Sequence, residues 1–255
     1  MVEKEIRVQT PDGEMTAFAV RPDGAGPFPV AVVFMDGVGY REQVKKNARR
    51  FAEDGYYVVA PDLYHRIGDR LSFDMSRFAS LSTDSPERQK MMAAAMSVTP
   101  EAMVTDTRAV LDAIASDPAA GRGPKVCVGY CLGARVSLHA ASALAEEFVA
   151  AAGIHPGALV TDKPDSPHHD VAHVLGELYI AFAENDRTAT PESIDRFRDE
   201  MKRNGVRGVV ERLPGTTHGF AMADLPVYDH DAAEHHFERT LDLWRRRVSP
   251  ERTST

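Results

Sequence analysis

The stretch Val126-Cys127-Val128-Gly129-Tyr130-Cys131-Leu132-Gly133-Ala134-Arg135-Val136-Ser137-Leu138 decides how the rest of the chain is read. An apolar run suited to a buried strand meets a corner of small residues, and a helix-like run follows to about Leu144. At the corner, Gly129-x-Cys131-x-Gly133 has the spacing of a nucleophile elbow with cysteine at its centre. A nucleophile on so tight a strand-to-helix turn is held in a strained backbone conformation, often with positive φ. Neighbouring chain then presses close, so the positions two residues to either side need glycine. A thiol on the tip of the turn lies at a helix N-terminus, where unpaired N–H groups and the positive dipole end favour the thiolate. The bland alternative is a tight turn around a buried structural cysteine. Cys127, alternating with apolar neighbours inside the strand, has that structural character.

Outward from this corner, strands and helices alternate at a steady pitch. Upstream, Glu5–Gln9 and Met15–Val20 flank the turn Thr10-Pro11-Asp12-Gly13, as in a β-hairpin. Val30–Met35 is continuously apolar, the mark of a strand buried on both faces of a parallel sheet. An amphipathic helix over Val44–Asp54 stops at Gly55, and Tyr56–Ala60 is the next strand. Residues 64–100 show no single period and read as a helical excursion or small cap, with Met75, Met91, Met92 and Met96 able to line an adaptable apolar pocket or simply fill core. Pro100–Asp117 is a clear helix. Downstream come strands at Phe148–Ile154, Leu178–Ala183 and Val209–Leu213, a polar loop at Thr161–His173, and helices at Pro191–Asn204 and Ala232–Val248. With no repeat and no linker, this predicts one α/β domain over residues 1–255, built on a doubly wound, mostly parallel sheet flanked by helices.

A parallel sheet presents its active site at the C-terminal ends of its strands. Four such ends carry chemistry: Asp36-Gly37, Cys131, Asp186 and His218. Nucleophile, acid and histidine follow one another in the chain order of an α/β-hydrolase triad. Cys131 is placed to attack a carbonyl carbon, His218 to take the thiol proton and return it to the leaving group, and Asp186 to orient the imidazole. The N–H groups of Leu132, at the helix start, and of Gly37 are the candidate oxyanion donors. Taken singly, Asp186 also reads as a turn residue and His218 as a surface histidine. His168, His169 and His173 lie in a polar loop without a third ligand at a telling spacing, so no metal is expected. His230, His235 and His236 read as solvated helix residues.

Composition narrows the function. The net charge is −8, and the basic run Arg245-Arg246-Arg247 reads as a solvated helix terminus, so a nucleic-acid partner is not expected. An apolar fraction of 43% suffices for a large core, yet no apolar run reaches membrane-spanning length. Two cysteines four residues apart make neither a disulfide framework nor a four-ligand zinc site. They suit a reducing compartment. The N-terminal Met-Val-Glu-Lys-Glu-Ile is charged, and a cytoplasmic location is the expectation.

Four stretches together resemble the dienelactone hydrolase family: Gly129-Tyr130-Cys131-Leu132-Gly133, Asp54-Gly55-Tyr56 with Ala60-Pro61-Asp62-Leu63-Tyr64, Glu184-Asn185-Asp186, and Gly215 with His218-Gly219-Phe220. The resemblance implies an α/β-hydrolase fold and a cofactor-free cysteine hydrolase of esters or lactones; a monomer or homodimer is expected, with Tyr64 as a substrate-pocket candidate. It also implies an acidic residue after the first buried strand that interacts with the resting thiol, and Asp36 stands there with a shorter side chain. Arginines that bind a substrate carboxylate are implied too, one of them four residues after the catalytic histidine. Here that residue is Met222, leaving Arg77 and Arg88 of the excursion as candidates. An apolar side chain cannot pair with a carboxylate, so a less anionic substrate is expected. The rival readings are a thioesterase or other acyl transferase with the same triad, and a catalytically silent binding or sensor protein on the same fold.

Overall fold

The computed structural model describes residues 1–74, 85–164 and 166–248. Eight strands form one sheet in the order β1-β2-β4-β3-β5-β6-β7-β8. They are β1 (Val2–Thr10), β2 (Gly13–Arg21), β3 (Val30–Phe34), β4 (Tyr57–Pro61), β5 (Lys125–Tyr130), β6 (Phe148–Ile154), β7 (Glu177–Asn185) and β8 (Gly208–Thr217). β1 and β2 form the hairpin, β2 pairs antiparallel with β4, and every later pairing is parallel. β3 and β4 are buried throughout, as continuous apolar runs between two helical layers must be.

α1 (Glu42–Glu53) and α6 (His230–Arg247) cover one face of the sheet and pack on each other. Phe51 of α1 lies 4.9 Å from Phe237 and 4.6 Å from Trp244 of α6, ring centre to ring centre. α3 (Pro100–Ile114) and α4 (Leu132–Ala143) lie on the other face, followed by a 3₁₀ helix (Pro167–His173) and α5 (Pro191–Arg203). The path from β3 turns toward β4, and from β5 it turns the opposite way. The sheet's topological switch point therefore falls between β3 and β5, where a ligand crevice is expected.

One local code starts several helices. A Ser or Thr followed by Pro caps α2 (Pro86–Ser97), α3 and α5, with Ser85, Thr99 and Thr190 accepting from Arg88, Ala102 and Ser193 N–H. The hydroxyl satisfies an orphan donor while proline occupies a position that needs none.

Three expectations change here. The excursion contains α2 and the start of α3, but Met92 and Met96 face outward, 50% and 77% exposed, while Met91 points inward. Met75 and Arg77 lie outside the described residues. The expected polar loop at 161–173 holds a 3₁₀ helix that buries Pro167, His168 and Val171. Three of its polar side chains are engaged: Ser166 Oγ accepts from Thr161 N–H at 2.7 Å and lies 2.7 Å from His168 Nδ1, while Asp170 pairs with His139 of α4. His236 is fully buried rather than solvated, because α6 turns that face onto Tyr130 and Phe220.

Candidate active site

Sheet register assembles the site. Phe34 of β3 is level with Gly129 of β5, and Tyr130 is level with Ile154 of β6. Asn185 of β7 is level with Thr217 of β8, so Asp186 and His218 leave adjacent strands side by side. The elbow itself is fixed by close packing. Cys131 has φ +51° and ψ −106°, and its N–H donates to Ile154 O at 3.0 Å. A side chain on Gly129 would strike the Gly133 carbonyl, and one on Gly133 would strike the carbonyl oxygens of Phe34 and Met35. Both glycines are therefore required by backbone, not by side-chain neighbours that could yield.

His218 Nε2 lies 3.0 Å from Cys131 Sγ, and its Nδ1 lies 2.5 Å from Asp186 Oδ2. The other Asp186 oxygen, Oδ1, accepts from the Thr188 N–H and the Thr188 hydroxyl, each at 2.8 Å. A carboxylate only accepts, so Nδ1 carries a proton and Nε2 faces the sulfur. Burial works against charge on His218, but the neighbouring sulfur and the Asp186 carboxylate raise its pKa well above the usual imidazole range. Burial likewise opposes ionisation of Asp186, and its bonds to His218 and Thr188 outweigh that and lower its pKa. The arrangement can hold an imidazolium between the Cys131 sulfur and the Asp186 carboxylate. Cys127, by contrast, is fully buried, and desolvation pushes its thiol pKa far up.

The remaining sequence-selected residues lie around this row in different roles. Leu132 is the first residue of α4, so its N–H has no intrahelical partner. The Gly37 carbonyl accepts from Tyr64 Oη at 2.8 Å. Tyr64, expected near the substrate pocket, is fully buried with its hydroxyl committed to the Gly37 loop. Asp36 is also buried, and both its oxygens accept from Arg41, at 2.6 and 3.1 Å. Met222 is fully buried, with its sulfur 3.6 Å from Asn47 Nδ2. Arg88 is half-buried in the first turn of α2. His168 and His169 approach Glu200 rather than His173, with one potential ligand atom from each within 4.8 Å of the others. Glu200 is already engaged by Arg203 and by Asn204, whose side-chain N–H donates at 2.8 Å.

Two features escaped the sequence reading. His155-Pro156-Gly157 leaves the end of β6, and the His155 ring packs edge-on to His218 at 5.3 Å. A methyl group on Gly157 would lie 3.5 Å from His218 Cε1 and 3.7 Å from Cys131 Sγ, so this backbone forms a wall of the site. Its position at a strand end next to β5 was the available signal. The other feature is Arg41, which precedes α1 and bridges Asp36 to Asp224.

Solved structures place the fold. A provisionally assigned dienelactone hydrolase from Klebsiella pneumoniae superimposes with a TM-score of 0.82 at 19% identity, covering 95% of this chain and 98% of the other. A dienelactone hydrolase-like promiscuous phosphotriesterase from metagenomic libraries gives 0.72 at 22% identity, covering 97% and 99%. Both share the α/β-hydrolase architecture described above. In sequence, a provisionally named carboxymethylenebutenolidase of Methylorubrum extorquens is 26% identical over 251 residues, 96% of this chain and 81% of the relative. The carboxymethylenebutenolidase of Pseudomonas putida is 25% identical over 191 residues, 74% and 78% of the two chains. The model of the dienelactone hydrolase family matches residues 15–248, a span that takes in the Asp36 loop, the elbow, Asp186 and His218, and the chain belongs to that family.

Proposed function

We propose that the protein hydrolyses carboxylic esters or lactones through a thioester on Cys131, with His218 and Asp186 as its partners. The carrying observation is the unbroken row from Cys131 Sγ through His218 to Asp186, at 3.0 and 2.5 Å. The thiol proton passes to Nε2, and the sulfur adds to the carbonyl carbon. The resulting oxyanion faces the N–H groups of Leu132 and Gly37. A thiolate leaves more readily than an alkoxide, so the forward step depends on His218 protonating the departing oxygen. In a lactone that oxygen stays attached to the acyl chain. Water, deprotonated by His218, then attacks the thioester; the carboxylic acid leaves and the thiol is restored. Esters and lactones with acidic alcohol or enol leaving groups are the favoured substrates on this logic.

The acyl portion is expected to carry little negative charge. Asp36 and Asp224 flank Arg41, so this group of three has a net charge of −1 beside the site, and buried Met222 offers no cation. Neutral aryl esters should be turned over at higher kcat/KM than a carboxylated enol-lactone, and a strong preference for the anionic lactone contradicts this part of the reading. Cys131→Ala should abolish turnover with the fold retained, as read by circular dichroism. Ester hydrolysis that survives the substitution refutes the mechanism. A wild-type thiol that iodoacetamide fails to alkylate near neutral pH points instead to a silent binding protein.

A further inference from the structure

Arg41 uses all five of its N–H donors on protein. Nη1 donates to Asp36 Oδ1 at 2.6 Å and to Gly39 O at 3.2 Å. Nη2 donates to Asp36 Oδ2 at 3.1 Å and to Asp224 Oδ1 at 3.0 Å, and Nε donates to Asp224 Oδ2 at 2.6 Å. A guanidinium has five donors in a rigid fork, so none is left for a substrate carboxylate. The side chain is only 12% exposed, and such full engagement marks a residue that holds other groups in place.

What it holds follows from the topology. Asp36 begins the turn that carries Gly37: its Oδ1 also accepts from Val38 N–H at 3.1 Å, and its carbonyl accepts from Gly39 N–H at 3.1 Å. Asp224 lies six residues beyond His218, at the end of a stiff run of turns. In that run Phe220, Met222 and Leu225 N–H donate to Thr217, Gly219 and Met222 carbonyls. The two loops come from β3 and β8, which are separated by β5, β6 and β7. Ladder hydrogen bonds fix neighbouring strands to one another, whereas loops four strands apart are held by helix and side-chain contacts, such as Asn47 with Met222. The Arg41 bridge spans that gap directly, and its planar fork constrains orientation as well as distance.

We propose that Arg41, clasped between Asp36 and Asp224, is a positioning residue that sets the Gly37 oxyanion donor relative to Cys131 and His218. This rests on the ester-hydrolase reading for its biological meaning, but not for its test. A displacement of about 1 Å in such a donor costs on the order of 100-fold in rate, and loss of one donor costs about 100- to 1,000-fold. Lysine keeps the charge but cannot satisfy both carboxylates. Asp224→Asn, at a partly exposed side chain, loosens the far side of the clasp while leaving the Asp36 side intact.

The probe is a neutral trifluoromethyl ketone. Cys131 sulfur adds to its carbonyl carbon, the carbonyl π bond becomes the oxyanion, and the thiol proton stays on His218. The adduct is followed by ¹⁹F NMR and needs no turnover. Arg41→Lys should weaken ketone binding about 10- to 30-fold and Asp224→Asn about 3- to 10-fold, with the double variant close to Arg41→Lys alone because the residues act as one unit. Iodoacetamide alkylation, which requires Cys131 and His218 but no oxyanion donor, should stay within about twofold of wild type in both single variants. Unchanged ketone affinity overturns the proposal. So does a parallel loss of alkylation, or a double variant whose effects multiply. Wild-type protein that binds the ketone yet hydrolyses no ester or lactone leaves the clasp standing and defeats the functional reading.

Discussion

Replacing Asp186 with asparagine should be more damaging here than the loss of one charge suggests, because Thr188 dictates which way the new amide points. The Thr188 N–H and hydroxyl both donate to Oδ1. In Asp186→Asn the amide oxygen stays there to receive them, which turns the NH₂ group toward His218 Nδ1. Nδ1 must then accept, the ring proton moves to Nε2, and neutral His218 can no longer take a proton from the thiol. The same inversion of tautomer in a serine triad lowers kcat by about 10⁴. A cysteine gives up its proton more readily, so a loss of about 10²–10⁴ in kcat is expected, equivalent to about 3–5 kcal/mol. Two exposed hydrogen bonds to neutral groups hold the amide in this orientation, each contributing roughly 0.5–1 kcal/mol. Thr188→Val removes one of them, so the double variant Asp186→Asn/Thr188→Val should recover about two- to fivefold in kcat. The assay is steady-state hydrolysis of an aryl ester across pH 6–9, with melting temperatures measured alongside. Activity within tenfold of wild type in Asp186→Asn, or a double variant slower than the single one, refutes the orientation argument.

Two further outcomes follow from packing and burial. Gly133→Ala places a methyl group against the Phe34 and Met35 carbonyls at the end of β3; overpacking of this kind costs about 1–3 kcal/mol, so the melting temperature should fall by several degrees and Cys131 alkylation should slow, whereas wild-type values for both would show that the elbow has slack. His236 is buried with its pKa lowered by desolvation from 6.5 to about 3. It stays neutral in the fold while the unfolded chain takes up a proton below about pH 6.5, so stability falls as pH falls from 6.5 toward 3, by about 2 kcal/mol at pH 5 from this residue. His155, lowered in the same direction by burial, adds to the loss. In His236→Phe the stability difference between pH 7 and pH 5, measured by urea denaturation, should shrink by about that amount, and an unaltered difference would remove His236 from the account.

What could be read from the sequence was the placement dictated by short motifs and by strand ends. Gly129, Cys131 and Gly133 declare a sharp turn within five residues, because the requirement for glycine is local and steric. Asp186 and His218 were readable because parallel strands end level, so a position after a strand is already a position in space. The Arg41 clasp was not readable: Arg41 and Asp224 lie 183 residues apart, and an arginine ahead of an amphipathic helix looks like surface. The burial of Met222 and of His236 was not readable for a related reason. Helix and loop periodicity marks a side chain as apolar or polar, whereas their burial depends on what α1 and α6 bring against them, Asn47 in one case and the Tyr130–Phe220 wall in the other. The 3₁₀ segment hid its burial because Ser166, His168 and Asp170 satisfy their polar groups pairwise.

The strain at the elbow resides in the main chain, at φ +51°, and so belongs to position 131 whichever side chain it carries. Serine would fit that backbone as well as cysteine does. Its oxygen, on a shorter bond from Cβ, would fall short of the Nε2 atom that now lies 3.0 Å from sulfur. The reach between residue 131 and His218 is therefore set from both sides, by the elbow and by the outermost strand β8, which ends at Thr217 just before His218. Cys131→Ser should therefore keep the fold yet stand farther from His218 than the thiol does, and closing that gap calls for a second change where β8 ends.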